Sequence, residues 1–513
     1  MLTIVDFLER TAQVTPQATY VVYRGRHFSF NEINRWANRL ANGLFSAGYK
    51  PDDKIGLICS NRPGFLAAYF GVLKLGAIPV VLSTGGTVRD LVHELGNSEV
   101  VGLFVYEGLD NESFINTVHT AQKSLAFLRH IWLVPPTLEE ASFVSNVPSL
   151  ADLAENCSDR FTAIRKDLHS TAQILYTSGS TGRAKGIELT HYNLSAMIEI
   201  NRQISDRRDT RIRLAIASLY HITGQVFAIG LAAACGECLV LVEQFDPEEI
   251  LHTIATENCT HLLCMPSYYK DILDYAPRRL DDLVRKKLRF CASGGEPLPR
   301  TWGEEFKNRF GLPIVTGYGL TETTGIVTWN NATDGKLVRG SAGLPVPNVT
   351  VQITDQNNRP VSTGSQGELW IKSPGNMRGY HKLPQETEKA FCQGWFKTGD
   401  LGYKDEDGHV MITGRSSGLI IRAGTNISPI EVEDVLCEHP LVAQAAAFAI
   451  PHPRLGQDVK TMIVAKPGCH LTAEDIRSWI IGRLPESKHP GIVEITTSLP
   501  LTSTGKIARA LLH

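Results

Sequence analysis

Residues 176 to 186 read Tyr176-Thr177-Ser178-Gly179-Ser180-Thr181-Gly182-Arg183-Ala184-Lys185-Gly186, and the strand-like run Ala172-Gln173-Ile174-Leu175 leads into them. Glycines let a backbone curl without Cβ clashes and turn its N–H groups toward an anion. The hydroxyls of Thr177, Ser178, Ser180 and Thr181 add donors, and Lys185 adds a point charge. A flexible Ser/Gly linker would have no reason to carry that lysine between apolar segments. The spacing is not Gly-x-x-x-x-Gly-Lys-Ser/Thr, because Arg183 follows Gly182 and Gly186 follows Lys185, which disfavours a P-loop NTPase.

On the N-terminal side of this loop, amphipathic helices alternate with short apolar strands. Phe30 to Ala47 and Gly64 to Leu75 read as helices, Lys54 to Cys59 and Ala77 to Leu82 as buried strands. On the C-terminal side the rhythm continues through strands at Leu214 to Ala217, His261 to Met265 and Arg289 to Ser293, with a helix from Asp246 to Glu257. Alternation of this kind predicts an α/β fold, a large body of parallel sheets with covering helices. After about Gly340, Val/Ile/Thr-rich strands with turns at Asp355-Gln356-Asn357-Asn358 and Asp405-Glu406-Asp407-Gly408 predict a β-rich subdomain on that body. The division expected is a large N-terminal domain over 1–414, a polar hinge Arg415-Ser416-Ser417-Gly418, and about 95 further residues, 419–513, forming a small C-terminal α/β domain.

The 513 residues carry 51 Lys plus Arg against 53 Asp plus Glu, a net charge of −2, so no global attraction to nucleic acid or anionic membrane is expected. The basic stretches Arg207 to Arg213 and Arg278 to Arg289 are interleaved with Asp and read as solvated helix faces. The apolar stretch Val226 to Val242 is interrupted by Gly230, Gly236 and Glu237 and predicts a buried helix followed by a strand, with no membrane span. The ten cysteines are scattered along the chain, and the first residues, MLTIVDFLER, lack a signal peptide's basic start. Reduced thiols and a cytoplasmic location are the expectation.

Three further blocks follow the loop: Gly317-Tyr318-Gly319-Leu320-Thr321-Glu322, then Trp395-Phe396-Lys397-Thr398-Gly399-Asp400 running to Gly414-Arg415, and Leu499-Pro500-Leu501-Thr502-Ser503-Thr504-Gly505-Lys506-Ile507. Together with the loop, in this order, they resemble the acyl-CoA synthetase, peptide-synthetase adenylation domain and luciferase superfamily. Ala184 stands where that family usually has Pro. The resemblance implies ATP binding by Thr177 to Gly182 and Lys185, with Gly294-Gly295-Glu296 and Tyr318 against the adenine and Asp400 on the ribose hydroxyls. It implies Thr321 near the α-phosphate, Glu322 as the Mg²⁺ ligand, Arg415 on the nucleotide and Lys506 as the catalytic lysine of a mobile C-terminal domain. These residue types suit those tasks. A carboxylate attacking phosphate brings two anions together, so a cation bridging both lowers the barrier, and Mg²⁺ prefers oxygen ligands. The hinge departs from the family pattern, since Ser417 and Gly418 stand where Asp or Lys is usual.

Ser218-Leu219-Tyr220-His221-Ile222-Thr223-Gly224 resembles the family's acyl-pocket segment, and His221 stands where amino-acid activators carry an Asp-containing motif. A simple carboxylic acid is therefore the expected substrate. No carrier segment is expected beyond Lys506, so the thiol comes from outside: coenzyme A, or in the runner-up reading a separate acyl-carrier protein. A nucleotide-binding pseudoenzyme is the alternative from another class, but a binding module has no need of Lys506 together with Lys185, Glu322, Asp400 and Arg415.

Overall fold

Five helices start at the same device. Thr3, Ser29, Thr87, Ser149 and Thr472 each cap a helix, accepting from the backbone three residues on, where an Asp or Glu reaches back to the cap. The computed structural model describes residues 1–513 except 85, 107–110, 137–146, 178–183, 205–211, 276, 331–336, 339, 416, 417, 423, 424, 482, 485, 502–506 and 513.

Two mostly parallel sheets make the large body. In the seven-stranded one the order is Gly379–Tyr380, Lys185–Thr190, Thr171–Thr177, Ile78–Val81, Lys54–Ile58, Gly102–Tyr106 and His130–Val134. The five strands from Thr171–Thr177 onward run parallel, and the first two join antiparallel. In the nine-stranded sheet, Ile314–Leu320, Phe290–Gly294, His261–Cys264, Ile212–Ala215, Cys238–Leu241 and Thr19–Tyr23 are parallel in that order, with antiparallel strands at both edges. The helix Pro63–Lys74 is buried along its whole length, with Gly71 so close to Leu40 of the helix Phe30–Ser46 that a side chain there would meet it at 2.9 Å. Lys74 within it is neutralised by Glu9 at 2.5 Å.

A third, antiparallel sheet is formed by Thr350–Thr354, Gly367–Lys372, Phe391–Cys392, Trp395–Lys404 and Val410–Arg415. A fourth gathers Ile420–Arg422, Thr425–Ile427, Val442–His452, Gly456–Ala465 and Ile492–Thr496, with the helices Pro429–Cys437 and Ala473–Ile480 over a core of its own. The α/β body with a β-rich subdomain and a small C-terminal α/β unit matches the expected class.

Two readings need correction. Val226 to Val242 does contain a buried helix and a strand, but the helix begins as a π-helix, Gly224–Gly230, before Leu231–Cys235. Hydrophobic periodicity does not separate π from α coiling. Both end glycines are needed here: a Cβ on Gly224 would meet the Ser218 carbonyl at 2.4 Å, and one on Gly230 the Ile198 side chain at 2.4 Å. Arg213 is not on a helix face. It lies in the strand Ile212–Ala215 and ion-pairs with Glu237, both largely buried. None of the ten cysteines is in a disulfide. Among the described residues no helix is long and apolar enough to cross a membrane.

Candidate nucleotide and acyl site

The site grows from the C-terminal ends of parallel strands, where such sheets open a crevice. The parallel pairing of two adjacent strands ends at Gly294 and Gly317, and a side chain on Gly294 would stand 3.1 Å from the Gly317 carbonyl. Gly319 is tighter still, since a Cβ there would overlap the Gly325 carbonyl at 1.9 Å. These glycines let Gly295, Glu296 and the Tyr318 backbone share one end of the sheet. Gly295 has φ +88°, which suits a residue without Cβ.

Tyr318 and Asp400 are 82 residues apart and in direct contact: the phenol donates to Asp400 Oδ2 at 2.5 Å. On the other oxygen, Arg415 Nε lies 2.8 Å from Oδ1. Asp400 and Arg415 are cross-strand partners in the hairpin turning at Asp405 to Gly408, so the β register sets their contact. Asp400 is buried, and burial raises its carboxyl above the usual value while Arg415 and Tyr318 offset part of that. Burial, with the Asp400 carboxylate behind it, pushes the Tyr318 phenol well up.

Thr321 and Glu322 follow in a single 3-10 turn, Thr321–Thr323, held by the Thr323 hydroxyl bonding to Leu320 and Gly325. Burial raises the Glu322 carboxyl, and its Oε1 accepts from the Tyr380 hydroxyl at 3.1 Å. One half-buried carboxylate, with a hydroxyl-bearing Thr321 next to it in the chain, is the oxygen-donor chemistry that Mg²⁺ takes when nucleotide phosphates complete its shell, so these residues fit that ion.

Thr177 ends its strand opposite Lys185, and the 178–183 segment between them, like the Thr177 side chain, lies outside the described residues. The flanks are held from the helix Val88–Ser98. Tyr176 donates to Asn97 at 2.7 Å and shares a 2.6 Å bond with Ser98, while His93 Nε2 meets the Ala184 carbonyl at 3.0 Å. Lys185 Nζ is 2.9 Å from Glu386 Oε2 and 4.9 Å from the centre of the Tyr380 ring.

His221 is in the loop before the π-helix, its Nδ1 3.2 Å from the Thr223 hydroxyl. Phe227 on that helix lies 3.9 Å from where a Gly325 side chain would begin and stacks on Trp329 at 6.3 Å. Trp329 also stacks on Phe290 at 6.0 Å, giving an aromatic wall next to Gly317.

Ser417 and Lys506 lie outside the described residues. The base of the Lys506 loop is visible: Leu501 and Ile507 form an antiparallel bridge, and Ala508 N donates to Pro500 O at 2.8 Å. Arg509 anchors it with two bonds to Glu433, at 2.8 and 2.7 Å.

Sequence reading missed Tyr380, Glu386, His93 and Arg509. Only the charge of Arg509, three residues beyond Lys506, stood close enough to a recognised block to draw notice.

An α/β body that brings Tyr318, Asp400 and Arg415 into direct contact, with Glu322 in the turn after the Tyr318 strand, has the groups of a nucleotide-binding enzyme. The comparisons narrow this. Residues 8–381 match the AMP-binding enzyme model and residues 431–506 the AMP-binding enzyme C-terminal domain model, so the chain belongs to the AMP-binding enzyme family. It is 31% identical over 512 residues to a feruloyl-CoA synthase of an Amycolatopsis species, covering 98% of this chain and 96% of the relative. Among solved structures, the anthranilate CoA ligase AuaEII with anthranoyl-AMP superposes with TM-score 0.91 at 25% identity, covering 99% of this chain and 95% of that one. ATP-bound MatB from Rhodopseudomonas palustris superposes with TM-score 0.90 at 26% identity, covering 99% and 98%.

Proposed function

We propose that this enzyme activates an aryl carboxylic acid with ATP and passes the acyl group to coenzyme A. That it is an acid–thiol ligase follows from its family; the acid class and the residue roles are the proposal. In the first step a carboxylate oxygen bonds to the α-phosphorus and the bond to pyrophosphate breaks. In the second the coenzyme A thiol loses its proton and attacks the acyl carbon, and AMP leaves.

The contact of Tyr318 and Arg415 on the two oxygens of Asp400 carries this reading, with Glu322 four residues beyond Tyr318. Asp400 takes the ribose hydroxyls, for which a buried carboxylate is a strong acceptor. Tyr318 and the Gly294-Gly295-Glu296 turn hold the adenine, Lys185 and residues 177–182 the phosphates, and Thr321 and Arg415 the α-phosphate region. Glu322 would hold Mg²⁺, whose chemistry is to neutralise phosphate charge. Lys506 offsets the charge built where carboxylate meets phosphate, acting from a small domain, 419–513, that swings at Arg415 to Gly418. His221 lines the acyl channel.

Phe227, Trp329 and Phe290 support an aryl acid, because a flat ring stacks on such a wall. The names of the feruloyl-CoA synthase and the anthranilate ligase point the same way. The test is acid-dependent pyrophosphate release over hydroxycinnamates, benzoates, fatty acids and amino acids, with and without coenzyme A. Fatty or amino acids turning over faster than aryl acids would remove the aryl assignment, and release pulled forward by an acyl-carrier protein but not by coenzyme A would change the acceptor.

A further inference from the structure

Lys185 is engaged on two sides. Its Nζ is 2.9 Å from Glu386 Oε2, and it lies over the Tyr380 ring at 4.9 Å. Glu386 is on the helix Pro384–Ala390, 201 residues away in sequence. The pairing of Gly379–Tyr380 with Lys185–Thr190 brings that helix to the lysine, and the Thr387 hydroxyl ties the helix to the Tyr380 N–H at 2.9 Å. On its other oxygen Glu386 receives Lys389 Nζ at 3.2 Å. The Tyr380 hydroxyl in turn donates to Glu322. One tyrosine thus touches both the phosphate-loop lysine and the proposed metal carboxylate.

We propose that Glu386 is the resting counter-ion of Lys185, exchanged for the nucleotide's phosphates when ATP binds and regained when pyrophosphate leaves. Two features make it an exchange site. The pair is partly solvated, with side-chain exposures of 24% and 38%, so it is weak enough to break. Lys389 uses the other carboxylate oxygen, so Glu386 keeps a cation when Lys185 departs. A pair locked for stability would be dry and would leave its carboxylate uncompensated on breaking. Lys185 and Lys389 together hold the Glu386 carboxyl below the usual range, so it stays charged and competes with phosphate throughout the neutral pH range. Glu386 acts through Lys185 and is a positioning residue.

The inference rests on ATP binding, and its test needs no acid. Mg·ATP alone is titrated calorimetrically into wild type, Glu386→Gln, Lys185→Gln and the double variant. Freed from its counter-ion, Lys185 meets phosphate at lower cost, so Glu386→Gln should tighten the ATP Kd about two- to fivefold, the range of an exposed pair. In steady state KM for ATP should fall while kcat holds or drops as pyrophosphate is retained. In the Lys185→Gln background the Glu386 substitution should change nothing, because the coupling runs through that lysine. An unchanged or weaker Kd in Glu386→Gln, or an equal gain without Lys185, overturns the proposal. If wild type binds ATP but releases no pyrophosphate with any acid, the activity reading fails and the Glu386 result still stands or falls by its own Kd.

Discussion

The Asp400 cluster and the described base of the Lys506 loop differ in construction. Asp400 is buried, bonded on both oxygens, and set by the register of two long strands. Among the described residues, the base of the Lys506 loop is closed by the Leu501 to Ile507 bridge and the Ala508 to Pro500 bond, and is moored by an exposed Arg509 on Glu433. Leu501 is 52% exposed. A recognition site benefits from groups already in place, since ordering costs are then met in folding and not in binding. A cation needed in one half-reaction and in the way of the other must be able to leave. The difference fits the proposed division of labour, in which a preformed cluster reads the nucleotide and the small domain delivers the catalytic lysine.

The largest effect expected is at Lys506. Lys506→Ala should lower adenylation by about a hundredfold or more, while a supplied acyl-adenylate still transfers to coenzyme A within a few-fold of wild type. Single-turnover assays of each half-reaction decide it, and equal loss in both would erase the contrast between the two regions. Next comes Glu322→Gln, which keeps the shape and loses the charge: the Mg²⁺ midpoint should rise about tenfold. Because burial raises the Glu322 carboxyl, wild type gains its carboxylate only as pH rises through that raised value, so its Mg²⁺ requirement should ease with increasing pH. The amide should show no such trend, and a parallel trend in both proteins removes Glu322 from the metal site.

A hinge variant sharpens the comparison at its joint. Ser417→Pro sets φ near −65° and restricts Ser416, so thioester formation should fall several-fold with adenylation preserved. Pyrophosphate exchange and thioester formation measured on one preparation test it, and two unchanged rates would place the swing elsewhere.

The smallest effect expected is one of stability, beside the phosphate loop. Burial, with Asp90 nearby, raises the Glu94 carboxyl to about 7. Below its ordinary value near 4.5 both folded and unfolded chains hold the proton, and the group is neutral to stability. As pH rises toward 7 the folded state resists losing it, so stability drains away and the full penalty is present above 7. Glu94→Gln should therefore melt higher at pH 8, by about 1 kcal/mol once solvent screening is allowed for, and match wild type at pH 4. A stabilisation independent of pH would mean that packing, and not ionisation, is what the amide changes.

Much of this was readable along the chain. Alternating apolar runs with Gly and Pro punctuation marked helices and strands to within a residue or two, because those signals are local. Asp400 and Arg415 could be joined on paper, since the Asp405 to Gly408 turn folds one strand back on the other. The π-helix at Gly224–Gly230 escaped because its register depends on how closely Ser218 and Ile198 approach its glycines.

By itself the sequence determined which chemical groups the protein owns: the loop's hydroxyls and lysine, the Tyr318 to Glu322 block, Asp400, Arg415 and Lys506, and with them the reaction class. Only the tertiary structure decided whom they meet. Tyr318 finds Asp400 across 82 residues, His93 finds Ala184 across 91, and Lys185 finds Glu386 across 201. The physical reason is range. A side chain's charge and donors belong to the residue, whereas its partner is chosen by strand order and register, which depend on burying apolar faces contributed from the whole chain.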